Sequence, residues 1–139
     1  MSIGYMPQNY DDIMEDHIDV IDFIRTQHTK EEETLARTYL GSMKFTKEEM
    51  LGKIGSLSGG QKAKLFIVKL ILQKNNVLFL DEPTRNLSPL SNPVIRKTLS
   101  NYTGAIFSIS HDRKYINEVC NKVYKLTKIG LEIDGKYTR

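Results

Sequence analysis

The sequence predicts an α/β fold on a mostly parallel sheet, and three observations lead there. Residues 77–80 (Val-Leu-Phe-Leu) form a continuous apolar run, the pattern of a strand buried on both faces, and residues 105–110 read as a second buried strand. Segments of helical periodicity lie between and around these runs, so strands alternate with helices. Each run also ends in a polar cluster, Asp81-Glu82-Pro83 and Ser110-His111-Asp112. Clusters at the carboxyl ends of strands sit where open α/β sheets collect ligands.

The remaining elements follow in chain order. Residues 3–7 (Ile-Gly-Tyr-Met-Pro) read as a short strand stopped by proline. A helical zone is expected over about 11–51, because Ile13, Ile18, Ile21 and Ile24 recur at roughly helical spacing with acids between them. Thr29 with Glu32, and Thr46 with Glu49, each have the spacing of a capping box, in which both side chains satisfy free amides of a first helical turn. Residues 58–74 read as one long helix with Ala63, Phe66, Ile67, Leu70 and Ile71 on its apolar face. Asn92-Pro93 marks a helix start with proline at the first helical position. A helix over about 112–119 and two short strands, 123–126 and 131–133, complete the chain as a single structural unit.

Bulk properties narrow the function class. The chain has 139 residues, 40% of them hydrophobic, which suffices for one modest domain with a buried core. It has no run long enough for a spanning helix and no basic-then-apolar leader, so a soluble, cytoplasmic chain without direct membrane insertion is expected. Its single cysteine, Cys120, lies near Val119 and Val123 and reads as a packed thiol. A net charge of +3 permits an anionic partner without arguing for one. His17 and His28 read as structural or surface residues.

Four motifs carry chemistry. Leu57-Ser58-Gly59-Gly60-Gln61 puts two glycines at the mouth of a helix, where backbone can approach a ligand and free amides point at an anion. Ser58 can cap that helix or bond a phosphate oxygen, and Gln61 can close a capping box; a plain capped helix after a glycine turn is the alternative. Asp81 suits a Mg²⁺ ligand acting mostly through water, since a hard cation takes oxygen donors. Glu82 suits a general base that polarises the water attacking a γ-phosphate. His111, at the same sheet edge, is placed to hold that water or Glu82. Gln8 follows the first strand, where its amide can touch the metal or the water.

In order and spacing, Gln8, Leu57 to Gln61, Asp81-Glu82 and His111 resemble the Q-loop, signature, Walker B and H-loop of ATP-binding-cassette (ABC) ATPases. Glu82-Pro83-Thr84, Gln61-Lys62-Ala63-Lys64, Ser110-His111-Asp112-Arg113 with Tyr115, and residues 84–96 (TRNLSPLSNPVIR) resemble the ABC-F class, the last of these its second cassette. The resemblance implies a partial P-loop NTPase fold with a helical subdomain over 11–56 and a nucleotide-facing part over 57–139. It implies ATP and Mg²⁺ as ligands and a second cassette as partner. It also implies catalytic roles for Glu82 and His111, metal contacts from Asp81 and Gln8, and nucleotide contacts from Gln8, Ser58, Gly59, Gly60 and Gln61. For a full-length ABC-F protein it implies work on the ribosome and its RNA, in some members as antibiotic resistance. The ATP-binding subunit of a membrane transporter and a catalytically inert interaction fragment are the alternatives.

The sequence departs from the family in two places. Only seven residues precede Gln8, so the P-loop, which the family carries well before the Q-loop, is missing. Gly130 with Gly135-Lys136 has P-loop spacing, but Tyr137 replaces the required Ser or Thr, and the expectation there is a strand-end turn. Without the P-loop the chain alone is expected to bind ATP weakly and not to turn it over, and its sheet to keep an open edge and exposed apolar surface. Ser88-Pro89 stands where many cassettes have an aspartate after Asn86-Leu87, which removes a charge from the D-loop.

Overall fold

The apolar runs pair side by side. In the computed structural model, which describes residues 1–85 and 87–134, β1 (Ile3–Met6), β2 (Val77–Asp81) and β3 (Ala105–Ile109) form a parallel sheet in the order β1-β2-β3. Ile3 lies opposite Val77, and Leu80 opposite Ser108. The fold class is therefore the α/β class with a parallel sheet.

One sheet face is closed by helix α4 (Gly59–Leu72). Met6, Leu78 and Leu80 are buried there with Leu65, Phe66, Ile67, Val68 and Leu70 of the helix. Gly4 permits the close approach: a Cβ at that position would come within 2.8 Å of a Leu78 methyl and 3.1 Å of a Leu70 methyl. Each large side chain fully buried here contributes about 1.5–3 kcal/mol. The other face is open. Ile3, Tyr5, Phe79, Phe107 and Ile109 stand 40–62% exposed, and the Phe79 and Phe107 rings stack at 5.4 Å. The expectation of strands buried on both faces is thus corrected to strict alternation along β2 and β3, with Phe79, Phe107 and Ile109 on the open side. The exposed apolar surface expected from the sequence is present.

The helical zone is shorter than its isoleucine spacing suggests. It consists of α1 (Val20–Ile24), α2 (Lys30–Ser42) and α3 (Lys47–Leu51), while residues 11–19 form turns. The Ile13 and Met14 amides both donate to the Tyr10 carbonyl, and the Asp11 amide donates to the Asn9 side chain. Short polar side chains in this stretch compete for backbone groups and favour turns over helix. Asp19 then bridges to Lys53, whose ammonium lies 2.9 Å from its carboxylate.

The two capping boxes differ. Thr46 and Glu49 bond reciprocally, at 2.9 and 3.1 Å. Thr29 accepts from the Glu32 amide, but the Glu32 carboxylate turns away to the Thr26 and Gln27 amides, so that box is only half closed.

Helix α5 (Asn92–Ser100) starts one residue before its proline, which takes the second position rather than the first. It packs on α6 (Arg113–Val119), and Arg96 reaches Glu118 at 2.7 Å between them. Strands β4 (Tyr124–Thr127) and β5 (Gly130–Ile133) form a separate antiparallel hairpin. The P-loop-like Gly135-Lys136-Tyr137 lies outside the described residues. Cys120 is half-buried against the core, and the side chain of His17 is exposed beside Glu15. Among the described residues no helix is long and apolar enough to cross a membrane.

Candidate functional site

The carboxyl ends of β1, β2 and β3 lie side by side because the strands are parallel and in register. Residues that leave those ends are therefore neighbours although far apart in sequence. Gln8 leaves β1, Asp81 and Glu82 end β2, and His111 follows β3. A cleft of about 420 Å³ opens at this edge, with Gln8, Gly59 and Glu82 among its lining residues.

Glu82 is the most constrained of them. Its backbone is left-handed, φ 51°, which costs a non-glycine residue about 1–3 kcal/mol and persists only when neighbouring structure over-determines it. Two bonds do so directly: the Glu82 amide donates to the Ile109 carbonyl at 2.8 Å, and its carbonyl accepts from the Arg85 amide at 3.0 Å. The Glu82 side chain is only 13% exposed, and one carboxylate oxygen lies 3.5 Å from Nε2 of His111, whose side chain is 93% exposed. One ring nitrogen of a solvent-facing imidazole thus meets a sheltered carboxylate.

Asp81 is half-buried and makes neither an ion pair nor a side-chain hydrogen bond among the described residues, so its oxygens are available to ligate a cation. Gln8 is exposed and equally unengaged. No group of three or more His, Cys, Asp or Glu residues among those described is arranged to hold a metal. One free carboxylate and one free amide fit a Mg²⁺ ion that takes most of its ligands from phosphate and water.

The signature segment divides between two duties. Ser58 accepts from the Gln61 amide at 3.2 Å and caps α4. Gln61 does not close a capping box; its side-chain amide donates to the Glu49 carboxylate at 3.0 Å, tying α4 to α3. Gly59 lines the cleft, and a Cβ there would meet nothing within 4 Å. Gly60 instead faces Ser91, whose hydroxyl would lie 3.0 Å from an added Cβ. The structure therefore gathers Gln8, Gly59, Glu82 and His111, with Asp81 next in chain to Glu82. Ser58 caps α4 from an exposed position, while Gly60 faces Ser91 and Gln61 is tied to Glu49.

Sequence reasoning missed several residues here. Lys62 and Arg85 bring positive charge to the cleft, and Lys62 also lies 3.7 Å from Asp16. Thr84 and Asp112 join across the site by a 2.8 Å hydrogen bond. Lys62, Thr84 and Asp112 all sat within the quoted motifs, but nothing in their spacing distinguished them.

A family model described as ABC transporter matches residues 1–85, more than half of the chain. The chain belongs to the ABC transporter family. Among curated relatives of this ABC protein, YdiF of Bacillus subtilis (strain 168) is 36% identical over 132 residues, covering 95% of the chain and 20% of that protein. ABC transporter F family member 2 of Arabidopsis thaliana is 33% identical over 95 residues, covering 68% of the chain and 14% of that protein. A dimeric ATP-binding cassette solved in a post-hydrolysis state bound to ADP and Pi superposes with a TM-score of 0.73 at 16% identity, covering 88% of the chain and 57% of that cassette. The ABC chain thus spans about a fifth or less of these two curated relatives and just over half of the solved cassette.

Proposed function

We propose that this chain supplies the hydrolytic edge of an ABC-F ATP-binding cassette. The observation that carries the reading is the Glu82 carboxylate, held in a sheltered turn 3.5 Å from the His111 imidazole, at a strand edge it shares with Gln8. A pair so placed can take a proton from water and hold that water in line with a γ-phosphate. Glu82 is the base and His111 the residue that orients it. Asp81, through water, and Gln8 would hold Mg²⁺, which supplies charge neutralisation on the phosphates. The tip of α4 at Ser58, Gly59, Gly60 and Gln61 is the face offered to nucleotide held by a second cassette; Ser58 and Gly59 are its exposed residues. The helical part over 11–56 and the nucleotide-facing part over 57–139 belong to this reading.

The ABC-F assignment draws support from the Glu82-Pro83-Thr84 and Ser110-His111-Asp112-Arg113 motifs and from the F-family relative. A role on the ribosome follows from the class alone. Turnover requires a P-loop, since that element supplies most contacts to the β- and γ-phosphates. The reading therefore expects no Glu82-dependent turnover from residues 1–139 by themselves.

ATP hydrolysis is measured on the chain alone and on a form carrying a P-loop segment ahead of Ile3, each beside its Glu82→Gln variant. The reading expects turnover only with the P-loop segment, and its loss with Glu82→Gln. Turnover that is indifferent to Glu82→Gln would refute the base assignment. A Glu82-dependent rate in the chain alone would refute the P-loop requirement.

A further inference from the structure

We propose that Thr84 and Asp112, to which no role attaches above, are positioning residues that clasp the ends of β2 and β3 and so hold Glu82 against His111; this rests on the reading of the Glu82–His111 pair. The His111 side chain is 93% exposed, and packing does little to fix it. Its distance from Glu82 is set by the two backbone segments that carry the pair. One is the left-handed turn at Glu82 and the other is Ser110-His111-Asp112.

Thr84 lies in the first segment, two residues past Glu82, and is buried at 6% exposure. Its hydroxyl donates to one oxygen of Asp112 at 2.8 Å. Asp112 is the residue after His111, and its other oxygen accepts from the Lys114 and Tyr115 amides at 3.0 and 3.2 Å. Its own amide donates to Ser110 at 3.0 Å. Tyr115 is fully buried, with its hydroxyl 2.6 Å from the Ser108 hydroxyl on β3, so the first turn of α6 is anchored to the sheet. Asp112 is thus a rigid post: one oxygen caps a helix pinned to β3, and the other receives Thr84. Besides the Glu82–Ile109 backbone bond, Thr84–Asp112 is the hydrogen bond that joins the two loops among the described residues. Removing it leaves the turn to its backbone bonds alone and lets the segment carrying Glu82 shift the carboxylate away from the imidazole.

Thr84→Val separates this role from simple helix capping, because it keeps the side-chain shape and leaves the Asp112 cap in place. The primary test is made on the full chain by NMR. Thr84→Val should raise the exchange rate of the Glu82 amide about tenfold or more and shift the His111 ring resonances, while amides at the centre of β2 keep wild-type rates. Thr84→Ser, which restores the hydroxyl, should return both signals. In the P-loop-bearing form, Thr84→Val should lower kcat about 10–100-fold with KM unchanged, and Thr84→Ser should recover it. Wild-type exchange and ring shifts in Thr84→Val would overturn the clasp, and altered signals with an unchanged kcat would overturn its role in positioning the Glu82–His111 pair. If the wild-type P-loop form shows no Glu82-dependent rate, the hydrolytic reading fails while the exchange data still decide whether the clasp exists.

Discussion

Gly59 offers a perturbation in which stability and function should move in opposite directions. It opens α4, has no positive φ, and an added Cβ there meets nothing within 4 Å. Packing inside the chain therefore gives no reason for glycine. Glycine costs about 0.8–1.0 kcal/mol relative to alanine in a helix interior, and less in a first turn. Gly59→Ala should then raise stability by about 0.3–1 kcal/mol, mainly by restricting the unfolded chain. For a domain of this size that is an upward Tm shift of about 1–4 °C. The new methyl would stand on the exposed tip of α4, the face that the proposed function offers to nucleotide held by a second cassette. The assay pairs urea unfolding by circular dichroism with titration of the chain into a P-loop-bearing cassette holding a fluorescent ATP analogue. The expected result is a more stable chain whose effect on nucleotide affinity falls about tenfold or more, or roughly 1.4 kcal/mol. A loss of more than about 1 kcal/mol of stability would show that the fold needs this glycine after all. An unchanged effect on nucleotide affinity would remove Gly59 from the ligand face.

The other predictions concern stability, pH and turnover. Gly60→Ala should destabilise the chain by about 1 kcal/mol in the same urea assay, because its Cβ would crowd the Ser91 hydroxyl at 3.0 Å. Thr46→Ala should cost about 0.5–2 kcal/mol by opening the complete capping box of α3. Burial pushes the Glu49 carboxyl up, but bonds from Thr46 and Gln61, with Lys64 nearby, outweigh it and hold the group below its ordinary value of 4.5. A lowered folded value means the stabilisation is complete above the ordinary value and disappears as pH falls through the folded one. Unfolding measured from about pH 6 to about pH 3 should therefore show the wild type losing more stability than Glu49→Gln. Leu40→Ala should cost about 2–5 kcal/mol, since Leu40 is fully buried and leaves a cavity. In the P-loop-bearing form, Glu82→Gln should reduce turnover about 10²–10⁴-fold while the analogue still binds.

The elements that were legible in the sequence are those governed by local rules. The Thr46–Glu49 box and the Ser58-led helix depend on neighbours within a few residues, and β2 and β3 were marked by the apolar composition of their own runs; each forms within a residue or two of its expected bounds. The half-closed box at Thr29 was illegible because the Glu32 carboxylate had competing amides at Thr26 and Gln27. Gln61 was misread for a similar reason, since its partner Glu49 comes from another helix. The isoleucines at 13 and 18 kept helical spacing, yet local polar groups took the backbone into turns. An apolar run cannot tell one buried face from two, so the open face of β2 was invisible as well. At the site, residue type and strand-end position picked out Gln8, Glu82 and His111. The Thr84–Asp112 bond depends on strand register and carried no marker in spacing.

The pairing of β1 with β2 bears on the order in which the chain acquires structure. The Ser2 amide meets the Asn76 side chain across 74 positions, and every hydrogen bond of the β1–β2 ladder closes a loop of similar length. Loop closure on that scale is slow compared with helix formation. During synthesis β1 emerges before β2, and this ladder forms only once β2 has cleared the exit tunnel. The intervening helices α1 to α4 pack on one another and can assemble in that interval. Slowing translation between the end of α4 and β2 would prolong the exposure of Met6, which the finished sheet buries, whereas a pause after β3 would leave the ladder time to close.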